Sequence, residues 1–172
     1  SDFPYRVCDS MYIRADYMDS LRQWVYDTPI SERGKYVYSD LGPIMMKWTI
    51  ESITGENFVD YLEENFYRPL QLHHSGFKPY EHFTLDHLVP TAIDTTFRHR
   101  LLRGDVHDPA AAMQGGVSGN AGLFSNAFDE KLPKMCRSGF LPDLVIIEVY
   151  TKALPHNCRL STEHFNVVQF FV

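Results

Sequence analysis

Cysteine is scarce in this chain: Cys8, Cys136 and Cys158 are three in 172 residues, widely separated and without a Cys-x-x-Cys spacing. That argues against a disulfide framework, and in a monomer one thiol stays unpaired. No apolar run approaches the roughly 20 residues of a membrane-spanning helix, and nothing at the start reads as a signal peptide. Ser1 reads as the start of a piece cut from a longer chain, so the missing signal excludes little. Positive charge is also short: 16 Lys and Arg against 22 Asp and Glu give a net charge of −6. Broad binding to nucleic acid or to an anionic membrane relies on a basic surplus that is absent here. Internal repeats and low-complexity runs are absent too.

What remains is an ordinary globular composition, 44% hydrophobic and 22% charged. At 172 residues the chain is long enough to bury a core within one domain. Its organising stretch is Lys35-Tyr36-Val37-Tyr38-Ser39-Asp40-Leu41-Gly42. Lys35 to Tyr38 is aromatic and β-branched, which suits an extended arm. Ser39 and Asp40 are N-cap residue types, and Leu41 to Ile53 reads as a buried helix with Pro43 in its first turn and Gly55 as its stop. A tyrosine hydroxyl and a carboxylate therefore stand two residues apart at a helix N-terminus, where partial positive charge and free N–H groups favour anions.

Around this stretch, Ser1 to Tyr12 reads as an extended lead-in. Apolar residues Tyr17, Leu21, Trp24 and Val25 recur at helical spacing, predicting a helix over 16–26. A second helix is predicted over 57–67, with Phe58, Tyr61, Leu62 and Phe66 inward and Asp60, Glu63 and Glu64 in water. Short strands are expected near 89–94 and 98–102, and Asp108-Pro109-Ala110 opens a helical turn. Pro133 interrupts the text after Asp129, Leu144 to Tyr150 is a strong strand signal, and Val167 to Val172 is a bare apolar end that invites aggregation if unpaired.

Tyr38-Ser39-Asp40 followed by Leu41-Gly42 resembles the Tyr-x-Asn motif, in its Asp variant, of the penicillin-recognising serine hydrolases, the group of class C β-lactamases and DD-peptidases. Three further phrases resemble the same family in order and spacing: Ile53 to Phe58, Tyr67 to Leu72, and the Gly-rich Gly115 to Ser125. Val106 to Met113 is similar to the branch fused behind β-N-acetylglucosaminidase domains in bacterial envelope proteins. The resemblance runs from Phe3 to about Asp129. It implies an α+β fold, a helix-rich fragment of a β-lactamase/transpeptidase-like domain with few strands. Residues 1–129 would be a partial serine hydrolase domain, and 130–172 a divergent tail from a frame change or truncated gene model.

The implied chemistry is amide or ester hydrolysis through an acyl-enzyme, on a small-molecule or peptidoglycan-peptide substrate in the cell envelope or periplasm, with no cofactor and no metal. Tyr38 would relay a proton and Asp40 would orient a lysine or substrate amide; Ser39, His107, Ser118 and Asn120 would contact substrate. Asp in place of Asn puts recognition of β-lactam-like amides in doubt. The nucleophile motif Ser-x-x-Lys is expected upstream, and the chain is read as lacking it, since Ser20-Leu21-Arg22-Gln23 and Ser39-Asp40-Leu41-Gly42 have no lysine. The downstream third motif is represented only by echoes at Thr151-Lys152-Ala153 and His74-Ser75-Gly76. The fragment by itself is therefore expected to be inactive, with a non-catalytic binding module as the alternative. A weaker alternative is a metal-dependent hydrolase built from the His73–His107 region, although no His-x-x-x-His or His-Glu-x-x-His spacing occurs there.

Overall fold

The computed structural model describes residues 2–30, 33–126 and 129, together with the backbone of 168–171. It is an α+β arrangement of helices and small antiparallel sheets. The lead-in is a hairpin, not a single extended strand: β1 (Tyr5–Cys8) pairs antiparallel with β2 (Met11–Ile13) through a turn in which Ser10 takes a positive φ of 65°. Asp9-Ser10 carries no glycine or asparagine, so the turn leaves little trace in the sequence.

The first predicted helix is α1 (Tyr17–Asp27), and the second is α2 (Leu41–Thr54), closed by Gly55 in the left-handed conformation at φ 74°. The expectation that α2 is buried needs correction. Only Ile44 is buried along it, and Met45, Met46 and Ile53 are exposed, because no described element covers that side. In α1 no residue is buried, and Trp24, one of its predicted inward residues, is exposed.

The predicted helix over 57–67 divides. Asn57 caps α3 (Phe58–Leu62) by accepting from the Val59 N–H at 2.9 Å. A π-helical turn, Glu63–Tyr67, follows, in which the Arg68 N–H reaches back to the Glu63 carbonyl at 2.9 Å. The wider turn shifts the inward face by a residue, so Tyr67 is buried and Phe66 only half-buried. Burial drives the Tyr67 phenol far above its ordinary range, with the neighbouring Glu63 adding to the effect.

β3 (Pro90–Asp94) and β4 (Arg100–Arg103) form an antiparallel hairpin. α4 (Pro109–Ala112) starts at Asp108, whose carboxylate accepts the Ala111 N–H at 2.7 Å, with Pro109 in the first turn. β5 (Ala121–Ser125) pairs antiparallel with β6 (Val168–Phe171), so the backbone of that apolar end has a partner strand. The expected strand at Leu144–Tyr150, the Pro133 break, Cys136 and Cys158 lie outside the described residues.

Three apolar clusters hold the body together. Val7, Val106, Ala111, Ala112 and Ala121 join the first hairpin to α4 and β5. Phe58, Phe77 and Val117 join α3 to the Gly-rich loop, with Ile50 of α2 against them. Leu88 and Phe124 join the segment before β3 to β5. Cys8 is a buried free thiol, and its surroundings push its pKa up, chiefly by burial. Among the described residues, no helix is long and apolar enough to cross a membrane.

Candidate active site

Tyr38 ends the exposed arm that leads into α2, and the residue is 69% exposed. Its hydroxyl donates to Asp40 Oδ1 at 2.9 Å. Asp40 occupies the N-cap position, yet its carboxylate caps no helix N–H and turns back to the tyrosine. Ser39 fills that place in part, its Oγ accepting the Leu41 N–H at 3.3 Å.

The Asp40 carboxylate raises the Tyr38 pKa, first through this hydrogen bond and then through its charge, with Asp108 adding a weaker push of the same sign. The phenol therefore stays neutral to higher pH than a free tyrosine, whose pKa is about 10. A tyrosine that accepts a proton from a nucleophile needs the opposite environment, with cations close by. The pair as it stands is a hydrogen-bonding and anionic surface ready to receive a cation or an amide N–H. In Asp40→Asn, Tyr38 is expected to titrate nearer its ordinary value, as followed by NMR of ring-labelled tyrosine. An unmoved titration would show that Asp40 is not the cause.

Behind this pair lies the Gly-rich loop. A Cβ on Gly119 would stand 1.9 Å from the Pro43 carbonyl oxygen, so only glycine lets the loop meet the first turn of α2. The side chains flanking this contact form a buried chain of hydrogen bonds. Gln114 Nε2 donates to Ser118 Oγ at 2.8 Å, Ser118 Oγ donates to Asn120 Oδ1 at 2.7 Å, and Asn120 Nδ2 donates to Asp108 Oδ1 at 3.2 Å. Ser118 and Asn120 are both buried, so their polar atoms are engaged within the protein and hold the loop to the start of α4. His107 is exposed, and its backbone carbonyl accepts Arg98 Nη2.

The structure thus gathers the sequence-derived residues into two layers. Tyr38, Ser39 and Asp40 lie on the surface and Ser118 and Asn120 behind it, with Asp108 electrostatically linked to Tyr38. Asp108 and Gly119 carry the connection, and neither is among the residues that the sequence assigns to catalysis or substrate. Asp108-Pro109 did signal a helix start, and that capping role is what fixes its carboxylate. A further hub is the buried pair of Arg98 Nε and Asp94 Oδ2 at 2.6 Å, which holds the segment leading into His107-Asp108.

The reading that Ser-x-x-Lys is missing also needs correction, because Ser75-Gly76-Phe77-Lys78 has that literal spacing. It does not place serine and lysine on one helical turn. Gly76 is bridged in extended form to Phe124, and Ser75 Oγ donates to Asp129 Oδ2 at 2.9 Å and lies 2.6 Å from Ser125 Oγ. Lys78 sits at a positive φ of 48°, its ammonium 3.7 Å from Glu81. Ser75 lines a cavity of about 310 Å3 with Tyr67, His74, Phe77, Phe83 and Phe124, and none of Tyr38, Ser39, Asp40, His107, Ser118 or Asn120 lines it. Among the described residues, no three His, Cys, Asp or Glu side chains are grouped to hold a metal ion.

The chain is similar to several curated proteins. It is 36% identical over 107 residues to a protein of Escherichia coli K12 named "Putative D-alanyl-D-alanine carboxypeptidase", covering 55% of this chain and 25% of that protein. It is 37% identical over 107 residues to a protein of Bacillus subtilis strain 168 named N-acetylmuramyl-L-alanine amidase, covering 55% of this chain and 24% of that one. A Salmonella gallinarum protein bearing the carboxypeptidase name is 35% identical over 121 residues, covering 62% of this chain and 28% of its own length. The chain thus spans about a quarter of the length of these relatives. No family model matches it. No solved structure matches it.

Proposed function

We propose that this chain supplies the tyrosine-bearing wall of the active site in a peptidoglycan-directed serine hydrolase, and that its nucleophile comes from outside these 172 residues. In this reading residues 1–129 belong to that hydrolase domain and 130–172 are foreign to it. The observation that carries it is the Tyr38–Asp40 pair, exposed at the N-terminus of α2. The identity of about 35% to proteins named for cutting D-alanyl-D-alanine or N-acetylmuramyl-L-alanine bonds supports the substrate class.

In the complete site Tyr38 would pass a proton between the attacking hydroxyl and the leaving amine, a contribution typically worth 10²–10⁴ in rate. The Asp40 carboxylate opposes that role unless a cation stands between or beside the two groups, so the rest of the site must provide one. Asp40 would then bind that cation or a substrate amide. The Gly119 contact and the Ser118–Asn120–Asp108 chain would position the wall without touching substrate.

The isolated chain is expected to turn over neither nitrocefin nor p-nitrophenyl esters, and to take up no active-serine probe. Probe labelling that maps to Ser75, Ser118 or Ser125 would overturn the proposal that the nucleophile is external. The non-catalytic alternative draws on the Tyr38 hydroxyl being given to the Asp40 carboxylate and not to a serine. Calorimetric titration with a D-alanyl-D-alanine peptide separates the two, since saturable binding by the chain alone belongs to a recognition module.

A further inference from the structure

The cavity that Ser75 lines is separate from the Tyr38 surface and has a chemistry of its own. Its residues come from the run that passes from α3 through the π-helical turn to Arg68, from the segment 72–83, and from Phe124 of β5. At about 310 Å3 it stands at the lower end of the roughly 300–1,000 Å3 of small-molecule sites.

The π-helical turn decides which charges line this cavity. Glu63 and Arg68 are five residues apart, which on an α-helix of 3.6 residues per turn would set them about 140° apart. The wider turn, closed by the Arg68 N–H on the Glu63 carbonyl at 2.9 Å, brings them together instead. Arg68 Nη2 lies 3.8 Å from Glu63 Oε2, and both residues line the cavity. Arg68 Nη1 is steadied by Glu64 Oε1 at 2.8 Å, from a residue outside the lining. Turns of this kind are rare and occur frequently at functional sites. The rest of the lining is largely aromatic. Tyr67, Phe77 and Phe124 are buried, and the His74 imidazole stacks on the Phe83 ring at 5.9 Å. Buried Asp129 holds the corner beyond them, its Oδ2 accepting the His74 N–H at 2.8 Å and the Ser75 hydroxyl at 2.9 Å.

We infer that this cavity binds a small aromatic zwitterion, its ring among the aromatic side chains, its carboxylate on Arg68 and its ammonium on Glu63. The paired charges select such a ligand. One carrying a carboxylate alone meets Glu63 beside Arg68, and one carrying an ammonium alone meets Arg68 beside Glu63. A dipolar head answers both. The Glu63 and Arg68 side chains are 42% and 67% exposed, and an ion pair so open to water is worth little, so exchanging it for the ligand's two charges costs little. The site stands apart from the hydrolase reading, because none of Tyr38, Ser39, Asp40, His107, Ser118 or Asn120 lines it.

The test titrates the full 172-residue chain with phenylalanine, 3-phenylpropionate, phenethylamine and glycine, following the histidine ring protons by NMR. His74 and His82 both line the cavity, and their signals are assigned through His74→Gln and His82→Gln. Phenylalanine is expected to shift both signals saturably and to bind on the order of threefold more tightly than either singly charged analogue, the scale of one exposed ion pair. Glycine, with the same head and no ring, should shift neither. No saturable shift with phenylalanine overturns the inference, as does equal binding of the three aromatic compounds or binding of glycine as tight as that of phenylalanine.

Two variants separate the charges. Arg68→Gln should abolish the preference for phenylalanine over phenethylamine, and Glu63→Gln its preference over 3-phenylpropionate. Both side chains are open to solvent, so both variants keep the fold, as circular dichroism would show. Preferences unchanged in both variants overturn the assignment of the head group. Phenylalanine that shifts the Tyr38 ring and leaves His74 and His82 unmoved overturns the site itself.

Discussion

Replacing Asp94 by alanine is expected to cost about 3–5 kcal/mol, the usual penalty for removing one member of a buried ion pair. That is a large share of the 5–15 kcal/mol by which a domain is normally stable. Asp94 is buried and satisfies four donors. Its Oδ1 accepts the Phe97 N–H at 2.9 Å, the Thr96 N–H at 3.1 Å and the Thr96 hydroxyl at 3.4 Å, and its Oδ2 accepts Arg98 Nε. Arg98 in turn donates to the carbonyls of Val106 and His107, so its loss of a counter-charge is transmitted to the segment that carries Asp108.

The Phe97 N–H, then the Arg98 guanidinium and further N–H groups, outweigh burial and hold the Asp94 carboxyl well below the usual carboxylate range. Because the folded value is the lower one, this stabilisation is fully present above the unfolded pKa of about 4 and is lost as pH falls through the folded value. Urea denaturation should therefore show stability declining in acid below about pH 4, and Asp94→Asn should remove that part of the decline. A variant as stable as the parent at neutral pH would show that the pair does not hold this hairpin.

The second large effect is expected at Gly119. Its Cβ in Gly119→Ala meets a backbone carbonyl, that of Pro43, at 1.9 Å, and a backbone atom cannot swing aside as a side chain would. Overpacking of this kind typically costs about 1–3 kcal/mol, occasionally more. Relief comes by moving the Gly-rich loop away from α2, which separates the buried Ser118–Asn120–Asp108 chain from the Tyr38–Asp40 turn. Thermal melting should show the loss, and the weaker influence of Asp108 on Tyr38 should fall in the tyrosine titration. Unchanged melting would mean that the loop and the helix are not in contact.

Much of the framework was legible in the sequence. α2 was bounded by Ser39-Asp40 and Gly55, and α4 by Asp108-Pro109, because start and stop signals are local, although only Asp108 caps its helix with its own carboxylate. The β1–β2 turn was missed because Ser10 adopts a left-handed φ normally left to glycine. The π-helical turn at Glu63–Tyr67 was missed because a 3.6-residue period cannot register one extra residue. Sequence named Ser118 and Asn120 as polar residues of a Gly-rich loop. It could not show that their side chains are occupied by one another and by Gln114 and Asp108, since those partners depend on the chain reversal at Gly115 and Gly116. At Ser75–Lys78 spacing alone is uninformative, because a non-helical backbone, extended at Gly76 and left-handed at Lys78, sends the two side chains to different neighbours. The exposure of α2 was invisible for a different reason: an apolar helix predicts a partner, and the described residues do not provide it.

The most direct measurement of the central claim is D-alanine release by the chain reconstituted with the remaining portion of its Escherichia coli relative, comparing Tyr38→Phe with the parent. If Tyr38 handles the proton in the completed site, turnover should fall on the order of 100-fold or more while assembly and melting temperature stay the same, because only an exposed hydroxyl is removed. Turnover equal to that of the parent would contradict the account.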